Sequence, residues 1–301
     1  MEKSLIKKVK NMNFEKLGND VDNPKVTVGT LDFAKSDVFY TLSILLRKLK
    51  KEQHEIYQSF KEKVSNSLLK EIKKDHFVEH QEKIERLLDQ FESITEESKF
   101  VSLHLSFLIE KLRITPTELW ENKKIAFPTS EFMPSSFGLF FLQVSALIDL
   151  LGRDLALKFF REWIDTFNEE VNSINQKDIF TDLEHFRKDQ GKWLPNNPYG
   201  RIQILSDGKN GQFIKICQTC EKYNSMVQTK YGQDKEILYT IMCYMHKPLA
   251  KVWNEHFRLE IENSLALGDK FCAYIYYDLR KETGQNLLSK EHIAEIWESK
   301  K

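Results

Sequence analysis

Apolar positions recur at helical spacing through the first third of the chain. From Val38 onward they fall three, four or seven residues apart between runs of Lys and Glu, which is typical of amphipathic helices. Thr115, Pro116 and Glu118 have the order of a helical capping box. Residues 35–190 are therefore predicted to be mainly helical. Similar stripes predict further helices at about 76–95, 100–114, 137–151, 153–171 and 178–190.

The period changes near residue 200, where apolar and polar positions begin to alternate. "RIQILSDGKNGQFIKICQTC" alternates about a turn and predicts a β-hairpin. "FRLEIENSLALGDKFCAYIYYDL" alternates again and predicts two strands joined near Gly268 and Asp269. Helices are expected between these segments, the last stopped by Pro248, because the residue before proline avoids helical backbone angles. Strands are expected at about 201–206, 212–219, 258–264 and 270–277.

These patterns indicate an α+β fold with a helical N-terminal half. A C-terminal domain with a small antiparallel sheet packed by helices is expected to follow. "AFPTSEFMPSS", at 126–136, is rich in proline and serine and is typical of a linker. We therefore expect a helical region over 1–125 and an α+β domain over 130–285. "WLPNNPYG", at 193–200, is predicted to be a loop.

The amino-acid composition limits the kinds of molecule that this protein is expected to bind. Lys plus Arg and Asp plus Glu both number 45, so the net charge is zero, which argues against a general nucleic-acid or anionic-membrane binder. The most apolar window, 137–152, contains Asp149 and is predicted to be a buried helix rather than a membrane span. The N-terminal residues lack the apolar stretch of a secretory signal, so a cytoplasmic protein is expected. The long N-terminal helices would allow a homo-oligomer.

Four cysteines, all in the C-terminal third, are the main candidates for chemistry. Cys217 and Cys220 form one pair, Cys243 and His246 form a second, and Cys272 follows. Two such pairs could bind Zn²⁺ through three thiolates and an imidazole. Alternatively, Cys220 lies where a helix is predicted to begin, which would lower its thiol pKa and make it a nucleophile, with His246 as the base. The third possibility is that the cysteines are small buried apolar residues. We favour a shared pocket over simple core packing.

"HFVEH", at 76–80, matches the H-x-x-E-H pattern of inverted zinc metalloproteases. Lys and Glu crowd the residues on both sides of it. We therefore predict a solvated helical face here rather than a metal site.

Two longer stretches resemble a known family. "ICQTCEKYNSMVQTKYGQDKEILYTIMCYMH" and "LEIENSLALGDKFCAYIYY" are similar to the C-terminal half of the L-2-amino-thiazoline-4-carboxylic acid hydrolase family. "LGRDLALKFFREWI", at 151–164, is similar to the helix that opens that domain, so the resemblance covers about 130–280. The positions that match the family pattern are Cys220 (or Cys217) with Tyr223, Gly232, Cys243, Gly268 and Cys272.

The resemblance implies a hydrolase that acts on a carbon–nitrogen bond of a small sulfur heterocycle. Cys220 and Cys243 would be nucleophile or ligand, and His246 would be the general base in place of a family aspartate. The chain also has Ile261 near the position of a family arginine and Ala273 in place of a second aspartate. The same cysteine pattern resembles small-molecule-binding domains of the 4-vinyl-reductase type. That likeness implies a non-catalytic sensor, with Zn²⁺ or a small molecule as its ligand.

Overall fold

The computed structural model describes residues 14–17, 24–91, 94–193, 203–217, 219–281 and 290–300. The chain forms two compact units, and each combines segments that are distant in sequence. The helical unit comprises Lys25–Phe167 and Ser225–Ile241, and the sheet unit comprises Met1–Pro24, Asn168–Asn224 and Met242–Lys301. The expected division near residues 125–130 therefore falls inside the helical unit. The predicted loop at 193–200 lies almost entirely outside the described residues.

The elements confirm the α+β class, with most strands in the C-terminal half. The strands are β1 Phe14–Leu17, β2 Lys25–Gly29, β3 Lys124–Pro128, β4 Gln203–Ser206, β5 Gln212–Cys217, β6 Phe257–Asn263 and β7 Cys272–Asp278. The α-helices of the first 170 residues are α1 Thr30–Ala34, α2 Thr41–Glu52, α3 Tyr57–Leu69, α4 Gln81–Leu88, α5 Ser98–Leu112, α6 Pro116–Trp120, α7 Thr129–Leu151 and α8 Arg153–Phe167. The later ones are α9 Ser173–Gln176, α10 Leu183–Trp193, α11 Glu221–Val227, α12 Lys235–Tyr239, α13 His246–Trp253 and α14 Lys290–Lys300. Short π-helical stretches occupy Lys35–Tyr40, Asn168–Asn172 and Thr240–Tyr244.

The apolar stripe predicted from Val38 onward forms much of the core of the helical unit. Its members on α2 and α3 are buried because both helices turn their apolar faces inward. The chain leaves helical geometry between the two helices at Gln53, whose φ is −141°. The predicted capping box is also confirmed, since Thr115 and Glu118 cap each other's backbone N–H groups at the start of α6. The stripe residues that are fully buried are Val38, Leu42, Leu45, Leu46, Leu49, Phe60, Val64 and Leu68.

The linker predicted at 126–136 is wrong. Its first residues belong to β3, which pairs with β2 in an antiparallel two-stranded sheet, and the rest form the beginning of α7. Pro134 lies in the second turn of α7 and forgoes one helical hydrogen bond. Buried side chains on both sides of it, Phe132, Met133 and Phe137, offset that loss by packing.

The helix α7 has the length and composition of a membrane span, and 56% of its most apolar window is buried inside the protein. It packs against α3, α5 and α8. The prediction that this stretch is a buried helix is therefore confirmed. The cytoplasmic location stays a prediction.

The sheet unit contains a five-stranded antiparallel sheet in the order β1-β4-β5-β7-β6. The four predicted strands are all present, and β1 adds an edge strand that the apolar pattern did not reveal. One sheet face packs against Phe186 of α10 and Ala250 of α13. The opposite face packs against Ile293 and Trp297 of α14. The sheet is thus covered by helices on both sides, as expected.

The prediction that helical structure stops at Pro248 is wrong, because α13 extends from His246 to Trp253 and includes Pro248. Pro248 occupies the third position of this helix, where a backbone N–H has no partner within the helix. The preceding segment, Thr240–Tyr244, is π-helical. The chain therefore starts a new helix at His246, and proline is compatible with its first turn.

Candidate functional site

Cys217 and Cys272 face each other at the end of the β5–β7 ladder, where β5 ends and β7 begins. They are directly opposite in the antiparallel register of β5 and β7, and both side chains join the core cluster on the α10/α13 face. Leu265 donates its backbone N–H to Sγ of Cys272 at 3.3 Å. Burial raises the pKa of the Cys217 thiol to about 12 and also raises that of Cys272. Both thiols are therefore protonated at neutral pH.

Cys243 lies on the π-helical stretch Thr240–Tyr244 and is also buried. Its Sγ is 3.5 Å from Oγ of Ser264. Burial raises the pKa of this thiol to about 11, although hydrogen bonds with Ser264 and Tyr274 act in the opposite direction. Cys243 is therefore a protonated thiol with partners from the β6–β7 connection and from β7.

Cys220 precedes α11 and caps it, since Asn224 donates its backbone N–H to the Cys220 carbonyl at 2.9 Å. The predicted position at a helix N-terminus is correct, but the predicted direction of its pKa is wrong. Burial raises the pKa of Cys220, and it outweighs the hydrogen bond from the Tyr223 backbone N–H and the charge of Lys222. Cys220 is nevertheless the one cysteine of the four whose side chain is partly exposed.

His246 begins α13, and its ring stands edge-on to the ring of Tyr274 with the centroids 5.5 Å apart. Burial, followed by the charges of Lys222 and Lys215, lowers the pKa of His246 well below its ordinary value. The imidazole is neutral at pH 7. Within the described ranges, no hydrogen bond joins it to a cysteine. The expected pairing of a thiol with this base is therefore not formed.

The predicted zinc site of Cys217, Cys220, Cys243 and His246 is not supported. In the part of the chain that the structure describes, no group of three or more His, Cys, Asp or Glu side chains could hold a metal ion. The physical reason is that the candidate donors have other neighbours. Cys217 faces Cys272, Cys243 contacts Ser264, and His246 packs on Tyr274.

The "HFVEH" segment is not the solvated helical face that we predicted. His76 lies in a turn before the short 3-10 helix Val78–His80, and Phe77 is fully buried. The Nε2 atom of His76 is 2.7 Å from Oε1 of Glu110. The segment is therefore anchored to α5, and its two histidines are not presented side by side on one helix.

Two lysines that the sequence reasoning missed lie beside the cysteines. Lys215 of β5 is half-buried, and its Nζ is 3.3 Å from Oε1 of Gln190 and 5.9 Å from the ring centroid of Tyr274. Lys222, on the first turn of α11, is also half-buried. Burial lowers the pKa of Lys222, and the charge of Lys215 lowers it further.

We call Lys215, Lys222, His246 and Tyr274 the polar end of the sheet. Alternation within "FIKIC" places the Lys215 side chain on the same face as Phe213 and Cys217. A charged residue at an inward-facing strand position is a signal that could have identified this region. Tyr274, directly opposite Lys215 on β7, completes the pair across the strands.

No protein-family model, curated protein sequence or solved structure matches this chain significantly. The resemblance to the thiazoline-carboxylate hydrolases therefore stays a prediction, and the function has to be argued from the polar end itself.

Proposed function

We propose that the polar end of the sheet binds a small molecule carrying an anionic group, and that it does so without thiolate catalysis. The observation that carries this proposal is the charge around His246. The two cations that depress its pKa, Lys215 and Lys222, lie on different elements and act on the same place. Such an arrangement favours a carboxylate or a similar anion in the ligand.

Glu221 precedes Lys222 on α11, and the cysteines and tyrosines beside the two lysines add no further negative charge at neutral pH. The cysteine and tyrosine pKa values here are raised, chiefly by burial, so these groups are protonated. His246 is neutral because its pKa is lowered. The ligand's own charge would then complement that of the lysines.

The raised thiol pKa values are also the reason to prefer binding over hydrolysis. A thiol attacks as the thiolate, and the buried Cys217, Cys243 and Cys272 are far from ionised at neutral pH. A base within hydrogen-bond reach could take the proton from a thiol and so produce the thiolate. Among the described residues, however, His246 has no such contact with a cysteine. The chain thus fits the sensor-like alternative better than the hydrolase.

The binding test uses 2-amino-thiazoline-4-carboxylate and its analogue without the carboxylate, measured by titration calorimetry on the full chain. We expect the carboxylate to tighten binding about tenfold or more, which is the scale of one charge-assisted hydrogen bond. Lys215→Ala and Lys222→Ala should remove most of that difference. Lys251→Ala, which deletes an exposed lysine of the same unit, should not. Equal affinities for the two probes would refute the anion preference.

Hydrolysis remains a second candidate because of Cys220. Its thiol is partly exposed, accepts a hydrogen bond from the Tyr223 backbone N–H and has Lys222 nearby. Loss of the heterocycle in the presence of the protein, abolished in Cys220→Ser, would establish this reaction and overturn the non-catalytic proposal. An intact heterocycle after prolonged incubation is the expected result.

The other expectations about binding partners stay predictions. A homo-oligomer formed through the N-terminal helices, and the lack of nucleic-acid or membrane partners, rest on the sequence alone.

A further inference from the structure

Cys217 and Cys272, at the end of the β5–β7 ladder, are placed as a disulfide requires. Cys217 and Cys272 are register partners on adjacent antiparallel strands. Directly opposite residues in such a pair have Cα atoms about 4.5 or 5.5 Å apart, depending on the hydrogen-bonding pattern. Disulfides span Cα separations of about 4.4 to 6.8 Å. Either pattern therefore meets the backbone requirement without a change of register.

The side chains also share one environment. Both belong to the core cluster on the α10/α13 face, so they point to the same side of the sheet. Both are reduced in the structure. Formation of a bond between them would require side-chain rotation rather than movement of a helix or strand.

We propose that Cys217 and Cys272 are a dithiol oxidation site, which forms a reversible cross-strand disulfide when a low-molecular-weight disulfide reacts first at Cys220. Cys220 is the partly exposed thiol of the four. It lies three residues after Cys217 in sequence, and it raises the pKa of both Cys217 and Cys272. An oxidant too large for the core can therefore meet Cys220 first.

The reaction balances in three exchanges. The Cys220 thiolate attacks the small disulfide, which forms a mixed disulfide and releases one small thiol. The Cys217 thiolate then attacks Sγ of Cys220 and releases the second small thiol. Finally the Cys272 thiolate attacks Sγ of Cys217, and Cys220 takes up a proton and returns to its reduced state. Two protein thiols are oxidised, and one small disulfide is reduced to two thiols.

This site operates slowly at neutral pH, since exchange proceeds through the thiolate and burial raises the pKa of each of these thiols. The rate should rise with pH across the range 7 to 9. The oxidised form would tie β5 to β7 beside Lys215 and Tyr274. The inference does not depend on the identity of a ligand there.

The test exposes the full-length protein to hydroxyethyl disulfide at pH 8.5, followed by acid quenching, alkylation and peptide mass spectrometry. Trypsin should release Ile216–Lys222, which contains both Cys217 and Cys220, and Phe271–Arg280, which contains Cys272. We expect these two peptides to be joined, with a mass equal to their sum less two hydrogen atoms, plus one alkyl group on the remaining thiol. Reduction should separate them.

Variants identify the linked residue and the entry thiol. In Cys220→Ser the first peptide retains only Cys217, so a cross-link to Phe271–Arg280 must join Cys217 to Cys272, and we expect it to form more slowly than in the wild type. Cys243→Ser should form the link at the wild-type rate. Fragmentation of the wild-type Ile216–Lys222 peptide shows which of its two cysteines carries the alkyl group, so the pair can be tested even if a substitution unfolds the protein.

Two results would overturn the proposal. A Cys217–Cys220 disulfide or a mixed disulfide at Cys220 that is still the end product after prolonged reaction, without a link to Cys272, would refute the cross-strand pair. An unchanged rate in Cys220→Ser would refute the role of Cys220 as the entry thiol.

Discussion

Acidification from pH 7 to pH 5 should destabilise the helical unit through His104, and His104→Gln should remove most of that effect. His104 lies on α5 and is fully buried. Its Nδ1 atom is 2.8 Å from the Phe100 carbonyl oxygen, and its Nε2 atom is 3.4 Å from Nε2 of Gln143. A ring that donates through Nδ1 and accepts through Nε2 is a neutral imidazole.

The magnitude follows from proton binding in the folded and unfolded states. Burial lowers the pKa of His104 from the ordinary 6.5 to about 4, while the hydrogen bond to Phe100 acts the other way. The unfolded chain binds the proton first as the pH falls, so stability is complete above about pH 6.5 and is lost towards pH 4. The full effect is about 3 kcal/mol, and about 2 kcal/mol of it is lost between pH 7 and pH 5.

The assay is urea unfolding followed by circular dichroism at pH 7, 6 and 5. Each variant is compared with itself across pH, because glutamine changes packing and therefore also the absolute stability. His104→Gln should lose about 2 kcal/mol less than the wild type between pH 7 and pH 5. His54→Gln removes an exposed histidine of the same unit and should retain the wild-type pH dependence.

Gln143, the neighbour of His104, allows a second test of the neutral, buried ring. Its Oε1 atom is buried without a hydrogen-bond partner. Rotation of this amide could offer that oxygen to a protonated His104 and reduce the penalty. Gln143→Leu should therefore steepen the loss of stability with acid. Equal pH slopes for the wild type and His104→Gln would refute the assignment of a neutral, buried ring.

Two further predictions concern the helical unit. Burial raises the pKa of Asp37 to about 6 against the hydrogen bond from Ser136, so its contribution to stability is complete below about pH 4 and is lost as the pH rises through 6. Asp37→Asn should therefore raise the free energy of unfolding by about 1–2 kcal/mol at pH 8 and by less at pH 5, after allowance for partial exposure. The control is Asp149→Asn at an exposed aspartate, and an equal increase in that variant would contradict the prediction. Thr115→Ala should lower the free energy of unfolding by about 1 kcal/mol in urea titrations through loss of the capping box, and the exposed Thr117→Ala should cost clearly less.

The sheet could be predicted because short runs of strand-forming residues between turns are a local signal in the sequence. Residues 212–217 and 272–278 are buried on both sheet faces, apart from the half-buried Lys215, because both strands lie in the interior of the sheet. The edge strand β1, only four residues long, offers too short an alternation to detect. Its pairing with β4 depends on contacts across nearly 190 residues of sequence.

The helix boundaries were harder to predict because tertiary packing overrides local preference. Pro134 and Pro248 both indicated breaks, yet each lies near the beginning of a helix. Pro248 lies in the first turn, where a backbone N–H has no helical partner, whereas the hydrogen bond lost at Pro134 in the second turn is offset by packing. The first residue of a helix is hard to predict from sequence when another element precedes it without a loop, as β3 precedes α7 and the π-helical stretch Thr240–Tyr244 precedes α13.

The cysteines illustrate what residue spacing can and cannot predict. In each of the two pairs, Cys217 with Cys220 and Cys243 with His246, two residues separate the members. This spacing suits zinc ligation, thiol catalysis and core packing equally well, because each of these roles needs only that the side chains come near one another. What distinguishes these chemistries is the other neighbour of each donor. Ser264 reaches Cys243 from the β6–β7 connection, Tyr274 reaches His246 from β7, and Cys272 faces Cys217 through strand register. These neighbours are set by the pairing of distant segments, so residue spacing alone could not choose among the three chemistries.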